Sequence, residues 1–140
     1  MVARRTVEAQ KLQLGIVVAN LEQSIASYER VLGVGPFWTL DVPEAGVRAA
    51  MADWAGVEIE LIQASSDEAV EMHERFLKGR PARLQHIGAY VPDRAREVEH
   101  FKEIGARMLH EDLGGDDVRS ALADLRNDTG FLLELLERVD

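Results

Sequence analysis

Residues 13–18 read QLGIVV, and residues 86–91, which lie 73 positions further along the chain, read HIGAYV. Two more stretches recur in the same order: residues 47–53 (VRAAMAD) match 118–124 (VRSALAD), and residues 59–61 (IEL) match 133–135 (LEL). Because these matches keep one order at offsets of 71 to 74 residues, the chain is predicted to contain two copies of one unit of about seventy residues.

Each copy is predicted to fold as a βαβββ module. A short alternating strand comes first, and a helix follows that begins after Asn20 in the first copy and after Asp93 in the second, since both residues favour the N-cap position. Gly33 and Gly105 follow the apolar stripes of these helices and predict their ends. Three strands complete each copy, at residues 36–40, 47–53 and 57–63, and at 107–111, 118–125 and 131–137.

The chain is therefore predicted to be a single α+β domain, in which two tandem βαβββ modules form a cupped mixed sheet with the helices outside. Module one spans about residues 11–64, a bridging helix spans about 65–79, and module two spans about 83–138. The length of 140 residues leaves no room for two independent domains of ordinary size.

The composition excludes several classes of function. The 25 acidic residues exceed the 16 basic ones and give a net charge of -9, so the chain lacks the basic excess expected of a protein that binds nucleic acid or an anionic membrane. Cysteine is absent, which excludes disulfides, thiolate catalysis and cysteine zinc sites. A cytoplasmic setting is expected, because the sequence shows neither a secretory leader nor a run of ~18–20 apolar residues.

Alternation along the strands places four polar side chains at matching positions. Gln13 and His86 point away from the predicted helices, and each is followed two residues later by a glycine. Glu60 and Glu134 lie within the apolar strands VEIELI and FLLELL, on the corresponding face. A carboxylate in such a strand is costly to bury without a partner. The four side chains are therefore predicted to point to one place.

Two carboxylates, one amide oxygen and one imidazole nitrogen form a donor set that suits a divalent metal ion. The carboxylates would offset its charge, and the many oxygen donors favour six-coordination completed by one or two waters. Zn, Co, Ni, Mn and Fe are all compatible with such a set. The sequence thus predicts one divalent metal ion per chain as the cofactor.

From about residue 12 to residue 137, the chain resembles the vicinal oxygen chelate superfamily of glyoxalases, bleomycin resistance proteins and dioxygenases. The motifs that carry the resemblance are LGIVV at residues 14–18, a helix that ends with LG at 32–33, EIEL at 58–61, HIG at 86–88 and LLEL at 132–135. Members of this superfamily carry paired βαβββ modules around a metal. The resemblance implies that the metal ligands are Gln13, Glu60, His86 and Glu134.

Within the superfamily, the chain is most similar to methylmalonyl-CoA epimerases, through VPEAGV at residues 42–47, RFLKG at 75–79 and the glycine pair at 114–115. GVGPF at residues 33–37 is also typical of a glyoxalase-like branch. The epimerases usually carry histidine at the position of Gln13 and often carry glutamine at that of Glu60. The ligand set of this chain is instead similar to that of some glyoxalase I enzymes.

A further departure concerns the catalytic base. Ala49, whose repeat mate is Ser120, stands where the epimerases carry a glutamate proposed as the base. A methyl group cannot accept a proton, so the base is predicted to be a ligand carboxylate that leaves the metal, either Glu134 or Glu60. Glu134 is preferred because apolar surroundings raise the pKa of a carboxyl group. Glu58 shares the predicted face of Glu60 and is another candidate for the base, but a solvated strand charge is the favoured interpretation of this residue.

Four residues are predicted to contact the substrate, namely Tyr90, Ala49, Ser120 and Arg48. Arg48 could pair with a substrate carboxylate or phosphate, and an outward-facing arginine is the alternative interpretation. Trp38 and Trp54 are expected in the core and His73 in solvent, whereas His110 receives no role.

Three functions fit this site. The first is a metal-dependent isomerase or epimerase that moves a proton next to a carbonyl, on an acyl-CoA or another bulky carbonyl compound, since Gly15, Ala49 and Gly88 leave room. The second is a glyoxalase-like lyase acting on a thiol adduct, which the ligand set favours. The third is a metal-free protein that binds a small molecule, and the presence of all four ligand types argues against it. The expected partners are a small-molecule substrate and a second copy of the chain, with neither nucleic acid nor membrane.

Overall fold

A computed structural model describes residues 6–139 of the chain. The first module consists of β1 (Lys11–Val18), α1 (Leu21–Leu32), β2 (Trp38–Val42), β3 (Val47–Trp54) and β4 (Val57–Ala64), and α2 (Asp67–Leu77) follows it. The second consists of β5 (Ala82–Tyr90), α3 (Arg94–Glu103), β6 (Arg107–Gly114), β7 (Val118–Leu125), α4 (Arg126–Thr129) and β8 (Phe131–Arg138). The two predicted βαβββ modules are confirmed. Within residues 6–139, no helix combines the length and apolar character that a membrane span requires.

All eight strands belong to one mixed sheet with the order β2-β3-β4-β1-β5-β8-β7-β6. The pairs β2–β3, β3–β4, β6–β7 and β7–β8 are antiparallel. The pair β5–β8 is parallel, with Gly88 opposite Glu134. This mixture of parallel and antiparallel pairs, with helices between the strands, confirms the predicted α+β class.

The internal contacts of the chain divide it into two compact units, and the division runs through β1 and β5. One unit, which we call the Glu60 unit, is Leu14–Gln85. The other, which we call the Glu134 unit, consists of two segments: the described residues up to Gln13, and those from His86 onward. Gln13, His86 and Glu134 therefore belong to the same unit, although Gln13 lies far from the other two in sequence.

The Glu60 unit packs α1 against its strands. The core of this unit consists of Val18, Leu21, Ala50, Ile59 and Leu61. Because Ala50 on β3 and Ile59 and Leu61 on β4 face this core, strand alternation turns Ala49, Met51 and Glu60 to the opposite face. The face predicted for Glu60 is thus the face that points away from α1.

The N-terminus of α1 follows the sequence prediction. Oδ1 of Asn20 accepts a hydrogen bond from the backbone N–H of Gln23 at 3.0 Å. Replacing Asn20 with alanine is expected to lower the free energy of unfolding by about 1 kcal/mol, because this N–H loses its acceptor. Denaturant unfolding of Asn20→Ala measures the loss, and Asn20→Asp, which keeps an acceptor oxygen, is the control. An alanine variant as stable as the wild type would contradict the assigned cap.

The Glu134 unit packs α3 against β6, β7 and β8. The helix begins after Asp93, whose Oδ1 accepts the N–H of Arg96 at 3.1 Å, as predicted. The core consists of Ala89, Val91, Val98, Phe101, Ala121 and Leu135. Because residues on β5, β7 and β8 alternate between faces, their neighbours Gly88, Leu122 and Glu134 lie on the face away from this core.

Candidate metal and active site

Three polar side chains meet on the face of the Glu134 unit that points away from its core. Nε2 of His86 lies 3.3 Å from Oε1 of Gln13 and 3.7 Å from Oε1 of Glu134. Gln13 and His86 are 3% and 6% exposed, whereas the Glu134 side chain keeps 23% exposure. One nitrogen and two oxygens therefore converge, and Glu134 is the most accessible of the three groups.

Gly88 explains how Gln13 reaches this position. A Cβ atom at residue 88 would lie 2.9 Å from both Cβ and Oε1 of Gln13, and 3.1 Å from Cδ1 of Leu136. Real Cβ atoms essentially never show contacts under 3.0 Å, so the absence of a side chain at Gly88 lets Gln13 pack against β5. The space that the sequence assigns to a bulky substrate at Gly88 is thus filled by Gln13 and Leu136.

The three donors fit a divalent metal ion. A metal about 2.0–2.2 Å from each donor sets neighbouring donors roughly 2.8–3.6 Å apart, from octahedral to tetrahedral angles. The 3.3 and 3.7 Å that separate Nε2 of His86 from the two oxygens lie near the upper end of this range. Within residues 6–139, no three His, Cys, Asp or Glu side chains are grouped so as to hold a metal by themselves. A three-ligand set in this unit therefore depends on the amide oxygen of Gln13.

Glu60 lies in the middle of β4, with Met51 opposite it on β3. Met51 in turn lies opposite Trp38 on the edge strand β2. Since directly opposed side chains share a face, these three residues form one row across the Glu60 unit. A second row on the same face consists of Leu40, Ala49 and Ile62.

Three expectations about residues of the Glu60 unit are wrong. Trp38 and Trp54 are 51% and 45% exposed rather than in the core, because they lie on the edge strand and at the end of β3. Glu58 is 6% exposed rather than solvated, because β4 is an inner strand of the sheet. Nδ1 of His73 is buried and has no hydrogen-bond partner among the described residues, and burial lowers the pKa of this histidine.

Two of the predicted substrate contacts lie in one row of the Glu134 unit. Ser120 and Tyr90 are both opposite Leu136, on either side of β8. The hydroxyl of Ser120 donates to the carbonyl oxygen of Leu113 at 3.3 Å. The guanidinium of Arg138 lies 4.7 Å from the centre of the Tyr90 ring, which is within the range of a cation–π contact. Both side chains are thus on the face that carries Glu134.

Arg48 lies on the other face of its strand. It alternates with Ala49 and turns toward α1, where its guanidinium is 3.0 Å from Oε1 of Glu22 and 3.4 Å from Oδ1 of Asp41. A backbone hydrogen bond and the contact with Arg48 lower the pKa of Glu22. The structure therefore does not bring Arg48 to the face of Ala49, and it favours the outward-facing interpretation.

His110 is a residue of the site face that the sequence patterns miss. It lies on β6 opposite Leu122, which lies opposite Glu134 on β8. This row corresponds to the row of Glu60 in the other unit, since His110 follows Trp38 by 72 positions. Irregular register on both sides of His110 breaks the strand alternation, so the repeat offset is the signal that could have identified it.

Two βαβββ modules with polar donors at matching positions define a protein of the vicinal oxygen chelate type. Residues 12–128 match the family described as the Glyoxalase/Bleomycin resistance protein/Dioxygenase superfamily. The chain belongs to this superfamily. Its members typically bind a divalent metal ion, which agrees with the chemistry of the donor set in the Glu134 unit.

Several solved structures are similar to this chain. Methylmalonyl-CoA epimerase from Mycobacterium tuberculosis has a TM-score of 0.82 at 25% identity, over 100% of this chain and 94% of the epimerase. A hypothetical protein from Bacillus halodurans C-125 has a TM-score of 0.83 at 23% identity, over 95% of this chain and 96% of that protein. A variant of Streptomyces coelicolor methylmalonyl-CoA epimerase in complex with 2-nitronate-propionyl-CoA has a TM-score of 0.76 at 23% identity, over 94% and 98% of the two chains. No curated protein matches the chain.

Proposed function

We propose that the protein is a divalent-metal-dependent isomerase or epimerase that moves a proton at the carbon next to a carbonyl group. The observation that carries this proposal is the meeting of Gln13, His86 and Glu134, with a carboxylate as the most accessible member. A group that takes a proton from a substrate must lie within its reach. Glu134 meets this requirement, whereas Gln13 and His86 are largely buried beside it.

Gln13, His86 and Glu134 are the proposed metal ligands, and Glu60 is the proposed fourth. When bound, a divalent cation would polarise the substrate carbonyl and stabilise the negative charge that develops on its oxygen. Zn, Co, Ni, Mn and Fe are the candidate ions. Gln13 and His86 are buried and in contact, so they can keep their positions while the more accessible Glu134 carboxylate moves to the substrate.

Glu134 is the proposed base. Its neighbours across the adjacent strands are Leu122 and Gly88, neither of which carries a hydrogen-bonding side chain. Because Gln13 and Leu136 fill the space at Gly88, a substrate carbon is expected to approach the carboxylate from the side of Leu122. Glu60, the second carboxylate of the proposed ligand set, is the alternative base, with Met51 in the place that Leu122 has beside Glu134.

An acyl-CoA, or another carbonyl compound of similar chemistry, is the proposed substrate class. Two observations support it: the epimerases similar to this chain are named for methylmalonyl-CoA, and one of them holds 2-nitronate-propionyl-CoA. Ala49, which is 2% exposed between Leu40 and Ile62, carries only a methyl group and therefore offers no acid or base. The expected homodimer and cytoplasmic setting stay predictions.

Metal content and proton exchange together test this function. Untagged protein is expected to carry about one divalent ion per chain, and chelation is expected to lower its melting temperature, because a ligand that binds only the folded state stabilises it. In deuterated water, the metal-loaded protein is expected to exchange the α-proton of methylmalonyl-CoA or propionyl-CoA. Chelated protein is the control and is expected to lose the exchange.

The other outcomes of this experiment separate the two remaining functions. Metal-dependent turnover of a hemithioacetal formed from a thiol and a 2-oxoaldehyde, without exchange on either acyl-CoA, would assign the glyoxalase-like lyase. A protein that binds no metal under any loading condition, and whose melting temperature is insensitive to chelation, would overturn the enzyme and favour a metal-free binding protein.

A further inference from the structure

β6 is irregular on both sides of His110. Its register against β7 shifts once between Met108 and His110, and again between His110 and Leu113. An irregularity of this kind places an extra residue in one strand and changes the direction of neighbouring side chains. Because two such irregularities flank His110, the direction of its side chain does not follow from the alternation of the residues before and after it.

The register places His110 on the face that carries Glu134. His110 lies opposite Leu122 and Leu122 lies opposite Glu134, and directly opposed side chains share a face. Met108, before the first irregularity, packs against the core on the other face. Glu111, which follows His110, pairs with a lysine ammonium of α3 at 3.3 Å. The residues around His110 thus turn toward α3, whereas His110 turns toward the site.

The imidazole of His110 is suited to proton transfer. Its Nδ1 is buried and has no hydrogen-bond partner among the described residues. Burial lowers the pKa of His110, and a hydrogen bond with the backbone of Ser120 opposes this effect. An unperturbed histidine has both its neutral and its protonated form accessible near neutral pH, and the lowered pKa of His110 favours the neutral form there. A residue that takes a proton in one direction and returns it in the other needs both forms.

We propose that His110 is the second proton-transfer residue of this site and acts on the face of the reacting carbon opposite to Glu134. This inference rests on the proposed function. Neighbouring strands lie about 4.8 Å apart, so two strand spacings, roughly 10 Å, separate the backbones of His110 and Glu134. A substrate carbon held above Leu122 has one of these groups on each side. Such a pair suits epimerisation, since the proton leaves one face of the carbon and another arrives on the opposite face without the substrate having to turn over.

This step conserves protons and electrons and needs neither an oxidant nor a reductant. The carboxylate of Glu134 takes the proton from carbon, and the electron pair of the C–H bond moves toward the carbonyl oxygen. The imidazolium of His110 then donates a proton to the opposite face of the carbon as that electron pair returns. The protein is left with a protonated Glu134 and a neutral His110, which is the state that converts the other epimer. Proton exchange with solvent restores the first state.

The test compares His110→Gln with His73→Gln. His73 is the matched control because its Nδ1 is likewise buried without a partner among the described residues, but it lies on α2 in the other unit. Each epimer of methylmalonyl-CoA is given separately to metal-loaded protein in deuterated water, and α-deuterium incorporation and inversion are both measured. His110→Gln is expected to lower inversion at least about 100-fold, as for the loss of a general acid or base. His73→Gln is expected to leave both rates unchanged.

The difference in exchange rate between the two epimers distinguishes a role of His110 in proton transfer from a structural role. In His110→Gln, the epimer whose proton faces Glu134 is expected to keep exchanging with retention, whereas the other epimer stops exchanging. If His110→Gln lowered the exchange rate equally for both epimers, or lowered neither, the role of His110 would be overturned. Exchange by the wild type would still support the proposed function. His110→Asn repeats the measurement if His110→Gln melts below the wild type. A wild type that exchanges neither epimer would overturn the proposed function and this inference with it.

Discussion

Glu134→Gln is expected to lower the rate of α-proton exchange at least about 100-fold, which is the low end of the range for losing a general base. The amide keeps the size of the side chain and one oxygen donor, but it cannot accept a proton from carbon. Glu134 is partly exposed, at 23%, beside His86, so the variant is expected to fold. The measurement is deuterium incorporation into an acyl-CoA at saturating metal, so that weaker metal binding does not contribute to the loss.

Glu137→Gln is the matched control for this variant. Glu137 lies on the same strand, where alternation turns it to the opposite face, and its Oε1 is 3.8 Å from Nε of Arg94 on α3. The control is expected to exchange protons at the wild-type rate and to lose about 1–3 kcal/mol of stability, because Arg94 is only 12% exposed and loses a charged neighbour. If Glu134→Gln and Glu137→Gln were equally active, Glu134 could not be the base, and Glu60→Gln would be the variant to measure next.

Gly88→Ala is expected to lower the free energy of unfolding by about 1–3 kcal/mol, the usual cost of adding a methyl group to a filled space. The new Cβ would lie 2.9 Å from two atoms of Gln13 and 3.1 Å from Leu136. Gln13 and Leu136 are 3% and 6% exposed, so neither can yield without moving its own neighbours. A displaced Gln13 loses its contact with His86, and metal affinity is therefore expected to fall about 10-fold or more. Urea unfolding of metal-free protein and metal titration measure the two effects separately.

Gly115→Ala controls for the glycine substitution itself. A Cβ at Gly115 would meet no heavy atom of the described chain within 4 Å, so this variant is expected to be as stable as the wild type. A double-mutant cycle then identifies the source of the strain. Gly88→Ala is expected to cost less in a Gln13→Ala background, where the side chain that the methyl group meets is gone. An equal cost in both backgrounds would place the strain at Leu136 and contradict the role given to Gln13.

The predictable part of the fold rests on signals between residues close in sequence. Asn20 and Asp93 were assignable as caps because each accepts a hydrogen bond from a backbone only three residues away. The tandem modules were predictable because the repeat doubles the evidence for each strand and helix. The order of the strands, with β5 between β1 and β8, depends on pairing between distant segments, and the sequence pattern does not specify it.

The candidate site was predictable to the extent that strand alternation assigns a face. Gln13, His86 and Glu134 were expected at one place, and the structure brings these three together. The place of Glu60 as the fourth ligand stays a prediction. His110 was missed because the irregular register of β6 removes the alternation on which such an assignment depends.

The amino-acid sequence alone is sufficient for the two βαβββ modules, the starts of α1 and α3, and the common face of Gln13, His86 and Glu134. These features follow from spacing along a single helix or strand. Three others arise only in the folded chain: the filling of the space at Gly88 by Gln13, the burial of Glu58, and the row that joins His110 to Glu134. Each depends on which strands become neighbours and in what register, and that is set by contacts between residues far apart in the chain.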